Sequence, residues 1–230
     1  MSSSAYSYPV AHSSENARQR FIRLTYIHLF LAVAAFTGIE VFLFTSGFAE
    51  VIMSFMMGVN WLFILGGFMV LSWLATRFAA NSTSKGTQYL GLMLYIVAQA
   101  LIFVPLLYIA QAKTGGQAIE SAALATGLGF SGLSFIAFAT RADFSFLGKA
   151  IMFGGVGALV LIVCGTLFGF NLGVYFSVGM VVLAGMAILH DTSNIIHHYP
   201  ENAYVAASLQ LFASVAMMFY YLLRIFSSRD

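Results

Sequence analysis

Ala187-Ile-Leu-His-Asp-Thr-Ser-Asn-Ile-Ile-His-His-Tyr199 ends a long apolar run in an acid, an amide and three histidines. A run of that length reads as a helix through a membrane. A carboxylate at membrane depth costs at least about 2.5 kcal/mol on insertion scales, and it persists where it pairs or works. Asp191 is therefore the residue from which the rest of the chain is read.

Outward from Asp191 the same kind of run recurs. Seven stretches are long and apolar enough to span a membrane, near residues 22–44, 54–76, 88–110, 119–140, 146–168, 172–190 and 203–226. Short polar turns join them, such as Asn81-Ser-Thr-Ser-Lys-Gly86, Gln111-Ala-Lys-Thr-Gly-Gly116 and Arg141-Ala-Asp-Phe-Ser145. Near Asn171 the fifth and sixth spans are separated by barely a turn, which predicts a tight hairpin. Residues 1–20 are polar with no apolar core. They read as a disordered tail rather than a cleavable signal peptide, leaving 21–230 as the membrane domain.

Composition agrees. The 230 residues are 60% hydrophobic and 8% charged, with a mean hydropathy of +0.91. A soluble domain carries roughly 25% charged residues. Barrel strands would alternate over segments of about 10 residues, and these runs are about twice as long. The fold class is thus all-α, a polytopic membrane protein. A net charge of +2 with scattered basic residues gives no footing for nucleic acid. Cys164 is the single cysteine, so an internal disulfide and a multi-cysteine metal site are both excluded. No soluble head, paired catalytic acids, serine motif or His-Glu zinc motif is present, and the expectation is a protein that is not an enzyme.

Lys and Arg counts orient the bundle. With the N-terminus inside, the cytoplasmic segments hold Arg18, Arg20, Arg23, Arg77, Lys85, Arg141 and Lys149, and the outer side holds Lys113, Arg224 and Arg229. That bias predicts a cytoplasmic N-terminus, a periplasmic C-terminus and a cytoplasmic location for Asp191. Gly165, Gly169 and Gly173 recur at a spacing that lets helices approach closely in lipid.

Asp191, Asn194 and His198 share one helical face if the helix continues, and His190, Asn194 and His197 share the next. A titrating site, a metal site and a polar helix end at the interface all fit that pattern. Arg77 closes the second span on the same side and is a candidate partner, since Arg and carboxylate make strong paired hydrogen bonds. It also fits an ordinary membrane anchor. Glu40 belongs either to a cation path or to the outer end of the first span. Gln210, Ser214 and Tyr221 form a polar stripe on the seventh, which fits a water-lined path or plain helix–helix hydrogen bonding. Pro105 predicts a kink in the third span, with Gln99 placed to satisfy a freed backbone group.

Three segments resemble the Bax inhibitor-1 family: Phe21-Ile-Arg-Leu24 with Ala35-Phe36, Ser134 to Gly148, and Asp191-Thr-Ser-Asn-Ile-Ile-His197. The likeness is to its bacterial inner-membrane branch, whose Ser-Arg-Asp ending is similar to Ser228-Arg229-Asp230. The resemblance implies seven helices with the seventh in the centre. It implies either a pH-sensitive calcium leak or, in the bacterial branch, a substrate and modulator of the membrane-bound ATP-dependent protease FtsH. Expected partners are the bilayer, calcium or other cations, and FtsH. In the leak members an acid on the sixth span shares a proton with one on the seventh, and an arginine on the second latches the path. By that likeness Asp191 is the sixth-span acid and Arg77 the arginine, while Ser214 stands where the other acid would be. A lone carboxylate binds Ca²⁺ poorly, because roughly 6–8 oxygen ligands are wanted. No cofactor is expected beyond weak calcium binding.

Overall fold

The computed structural model describes residues 10–81 and 84–228. After a 3-10 turn at Val10–His12 come α1 (Glu15–Thr45), α2 (Phe48–Met57), α3 (Trp61–Ala79), α4 (Lys85–Thr114), α5 (Gln117–Thr140), α6 (Leu147–Phe168), α7 (Gly173–His197) and α8 (Tyr204–Phe226). All but α2 are long and apolar enough to cross a membrane, seven in total among the described residues. The chain is an all-α, multi-pass membrane protein. The sixth and seventh predicted spans are α7 and α8.

Three boundaries differ from expectation. The second span begins at Trp61 rather than 54, because residues 48–57 form the separate helix α2. Asn60 is the strongly polar residue at the break. The Asn60 side chain accepts the Leu62 N–H at 2.9 Å and caps α3. The disordered tail expected over 1–20 is corrected from residue 10 onward. Val10 is fully buried, its N–H donates to the Tyr199 carbonyl at 2.9 Å, and Ser14 caps α1. Residues 1–9 lie outside the described residues, as do Ser82, Thr83, Arg229 and Asp230. Finally, α7 runs on to His197 instead of ending near 190, which puts Asp191 inside a helix.

The last helix, α8, packs against α1, α3, α4, α5 and α7, whereas α6 packs chiefly on α7 and meets α3 only at a margin. Central placement follows from burial on several faces of α8, by Val205, Leu209, Leu211, Phe212, Ala216, Met218 and Leu223. Aromatic rings lock it to α4. Phe103 stacks on Phe219 with centroids 5.6 Å apart and meets Tyr220 edge-on at 5.3 Å. Phe36 of α1 adds an edge contact to Phe103 at 5.1 Å. Such pairs add about 0.5–1.5 kcal/mol each beyond their burial. The outward faces of α3 and α6 carry exposed Phe63, Trp73, Phe153 and Val160, as lipid-facing helices do.

The bundle end that carries the α7–α8 turn is tied down by polar contacts. Lys85 donates to the Asn202 carbonyl at 2.7 Å and lies 4.2 Å over the Tyr204 ring. Val10 is fastened to Tyr199 at the same end. Pro105 sits inside α4, but Gln99 does not serve the backbone there. It donates to the Tyr95 hydroxyl at 3.0 Å, which is a correction to its expected role.

Close helix approach is found at Gly91. A methyl group there would lie 2.5 Å from the Ala75 carbonyl oxygen and from the Ala79 nitrogen, so α3 and α4 touch through backbone. Gly157 has open space around it. Gly91→Ala is expected to lower stability by about 1–3 kcal/mol through overpacking, and Gly157→Ala to change it little. Denaturant unfolding in detergent reads the difference.

Candidate functional site

Residues on α7 and α8 build the site. Asp191 is 3% exposed, one and a half turns before α7 ends. Ser214 faces it from α8 and donates its hydroxyl to Oδ2 at 2.5 Å. His190 places Nδ1 3.2 Å from Oδ1 and is the second donor when its proton is on that nitrogen. The Asn194 amide lies 3.3 Å from the same ring. Both carboxylate oxygens thus have a partner, which a buried acid requires.

The rest of the cluster serves the helix end. His197 sets Nδ1 3.0 Å from the Ser193 carbonyl. His198 caps α7 and places Nε2 3.7 Å from Asp143 Oδ2. The Ser193 hydroxyl accepts the Phe144 N–H at 2.9 Å and donates to the Ala142 carbonyl at 3.3 Å, tying α7 to the α5–α6 connection. Asp143 is held below the usual carboxylate range, first by the Ser145 backbone N–H, then by its side chain, with His198 adding attraction. Burial pushes the Tyr199 hydroxyl up, and the nearby Asp191 charge adds to the rise.

Arg77 is not joined to Asp191. Among the described residues the ion pairs are His190 with Asp191 and His198 with Asp143. Arg77 is exposed, with its guanidinium 5.3 Å over the Trp73 ring one turn back. The side chain sits on the outer face of α3, where a cation–π contact and the interface satisfy it, rather than at Asp191. Glu40 is buried near the far end of α1, and neither carboxylate oxygen has a hydrogen-bond partner among the described residues. Among the described residues no three metal-binding side chains cluster.

A cavity of about 660 Å³ opens beside Ser214. Gln210, Ser214, Met217, Tyr221 and Arg224 of α8 line it, facing Trp61 and Phe68 of α3, Tyr95 and Gln99 of α4, and Phe170 and Asn171 after α6. Gln210, Ser214 and Tyr221, the stripe noted in the sequence, all lie on its wall. It extends toward the bundle end that carries Trp61, Asn171 and Arg224. Asp191 lies behind Ser214, on the other side of that wall. Glu40 is not among its lining residues. Sequence reasoning gave His190 no part with Asp191 and Ser193 none at all. Adjacency to Asp191 pointed to the first, and nothing local marks the second.

A model of the family described as "Inhibitor of apoptosis-promoting Bax1" matches residues 18–230. The uncharacterized protein PA2604 of Pseudomonas aeruginosa is 37% identical over 115 residues, 49% of this chain and 50% of that protein. The Escherichia coli K12 protein named "Modulator of FtsH protease YccA" is 36% identical over 118 residues, 50% of this chain and 53% of that one. The matched segment spans about half the length of these relatives.

Removing the Ser214 hydroxyl leaves Oδ2 without its protein donor. Ser214→Ala is therefore expected to destabilise by about 1–3 kcal/mol, read by thermal unfolding in detergent. Asp143 gives a pH test. A carboxyl with a lowered folded pKa contributes stability above its unfolded value, about 3.9, and loses it as pH falls through the folded value. Asp143→Asn should flatten the acid limb of a stability profile below about pH 4.

Proposed function

The chain belongs to the Bax inhibitor family, and from that premise we propose that it modulates a membrane-bound FtsH-type protease in the bacterial inner membrane. The observation that carries this reading is its 36% identity to a protein named for that activity. A second relative with the same identity bears the name "Inner membrane protein YccA". The protein acts by binding rather than catalysis. Its N-terminal end offers a handle, with a cytoplasmic N-terminus and a periplasmic C-terminus as the proposed orientation. An ATP-driven protease pulling on that end meets resistance at Val10, which is buried and bonded to Tyr199. Deleting residues 1–9 is expected to lengthen the half-life several-fold in cells containing the protease. Val10→Asp, which frees the anchor, is expected to shorten it. Pulse-chase in strains with and without the protease reads both, and unchanged half-lives contradict the proposal.

A second reading is a gated cation path, and the cavity whose wall carries the Ser214–Asp191 contact favours it. The contact closes the wall at that point and Asp191 waits behind it as the cation's first carboxylate. Arg77 rests over Trp73, away from that contact. Glu40, which lies outside that cavity and has no hydrogen-bond partner among the described residues, is a second acid near the far end. Calcium is the proposed ion, weakly held because one carboxylate meets few of its ligand needs. Asp191→Asn is expected to change calcium flux into liposomes several-fold on at least one side of neutral pH. Equal flux for parent and variant on both sides removes Asp191 from such a path.

A further inference from the structure

The cavity lies along α8 from Gln210 to Arg224, roughly 21 Å at 1.5 Å rise per residue. At about 660 Å³ it falls within the roughly 300–1,000 Å³ of ordinary ligand sites, which are mainly apolar with a few placed polar groups. Its sides fit that description. Trp61, Phe68, Tyr95, Phe103 and Phe170 line the length. Apart from the Gln99–Tyr95 pair partway along the wall and Thr166, the polar groups lie toward the two ends.

The end away from Asp191 is rich in donors. Arg224 is half-buried and shares the cavity wall with Tyr220 and Tyr221. Among the described residues Arg224 belongs to no ion pair. A guanidinium partly withdrawn from water, with phenol hydroxyls next to it, is completed by an anionic acceptor. The inner end holds Gln210 and Ser214, of which Ser214 is already committed to Asp191. They set the depth at which an apolar chain must stop.

Access comes from the side. The facing walls are α3 and α6, and these two helices meet only at a margin. Both are lipid-facing on their outer surfaces, so the gap between them opens toward acyl chains rather than bulk water. The stated volume spread over that length is enough to seat one acyl chain along the wall.

We propose that this cavity binds a single-chain anionic amphiphile from the bilayer, with its head on Arg224 and the tyrosine hydroxyls and its chain along the aromatic wall toward Ser214. The site is independent of the protease reading. A fatty acid carboxylate and a lysophospholipid phosphate share the required chemistry.

Fluorescence quenching tests it. The chain has two tryptophans; Trp61 lines the cavity and Trp73 faces outward. In a Trp73→Phe background, the full chain in nanodiscs of unlabelled lipid is titrated with a dibrominated C18 fatty acid. Quenching of Trp61 is expected to saturate and to be reversed by excess oleate, by lysophosphatidylglycerol, or by both, which identifies the source. Arg224→Gln is expected to weaken the half-saturation point about tenfold, and Arg224→Lys to retain most of it. Unchanged thermal unfolding of the variants shows that the fold is kept. Quenching that rises without saturation, equal competition by neutral monoolein, or no effect of Arg224→Gln would each overturn the proposal.

Discussion

One hydrogen bond, from the Ser214 hydroxyl to the Asp191 carboxylate, joins the two helices on which the bundle turns. A carboxylate that deep has no water to answer it, so the protein must supply both partners. One comes from α8 and the other, His190, from the same helix as the acid. This requirement fixes the rotation of α7 against α8. It also explains why the end of α7 is so heavily tied. Ser193 holds the α5–α6 connection, Val10 holds Tyr199, and Lys85 holds the α7–α8 turn. A slip of α7 by one residue would break the Asp191 contact and most of these ties together.

The same bond divides the interior. On one side lies a long cavity with aromatic walls and a lone cation at its outer end. On the other lie the acid, its histidine and the tied helix end. A device with two coupled carboxylates would titrate as a pair. Serine in place of one of them leaves a neutral donor, and the contact becomes a hydrogen bond that one proton cannot split in the same way. The imidazole at 3.2 Å is then the carboxylate's neighbour on α7, and the Asp191 charge reaches Tyr199 beyond the helix end.

Much of this was legible in the chain. Seven apolar runs, short turns and a polar stripe at 210, 214 and 221 are periodic features, and periodicity survives without coordinates. What could not be read depends on contacts across sequence. Helix α2 is separated from α3 by a cap at Asn60, one amide in a mainly apolar run. Val10 belongs to the core only because Tyr199 meets it there. Membrane side and family likeness both pair Arg77 with Asp191, and both are blind to direction around the helix axis. The side chain instead covers Trp73. Ser193 carries no local signature, since its partners are fifty residues away in the chain.

The sealing role of the Ser214–Asp191 contact is tested most directly by the sidedness of access to the cavity. Met217→Cys, in a Cys164→Ser background, places a thiol on the cavity wall next to the contact. An impermeant maleimide added to oriented vesicles should label it from the face bearing Asn171 and not from the face bearing Tyr199. Adding Ser214→Ala should open labelling from the second face. Equal labelling from both faces before that change would contradict the account.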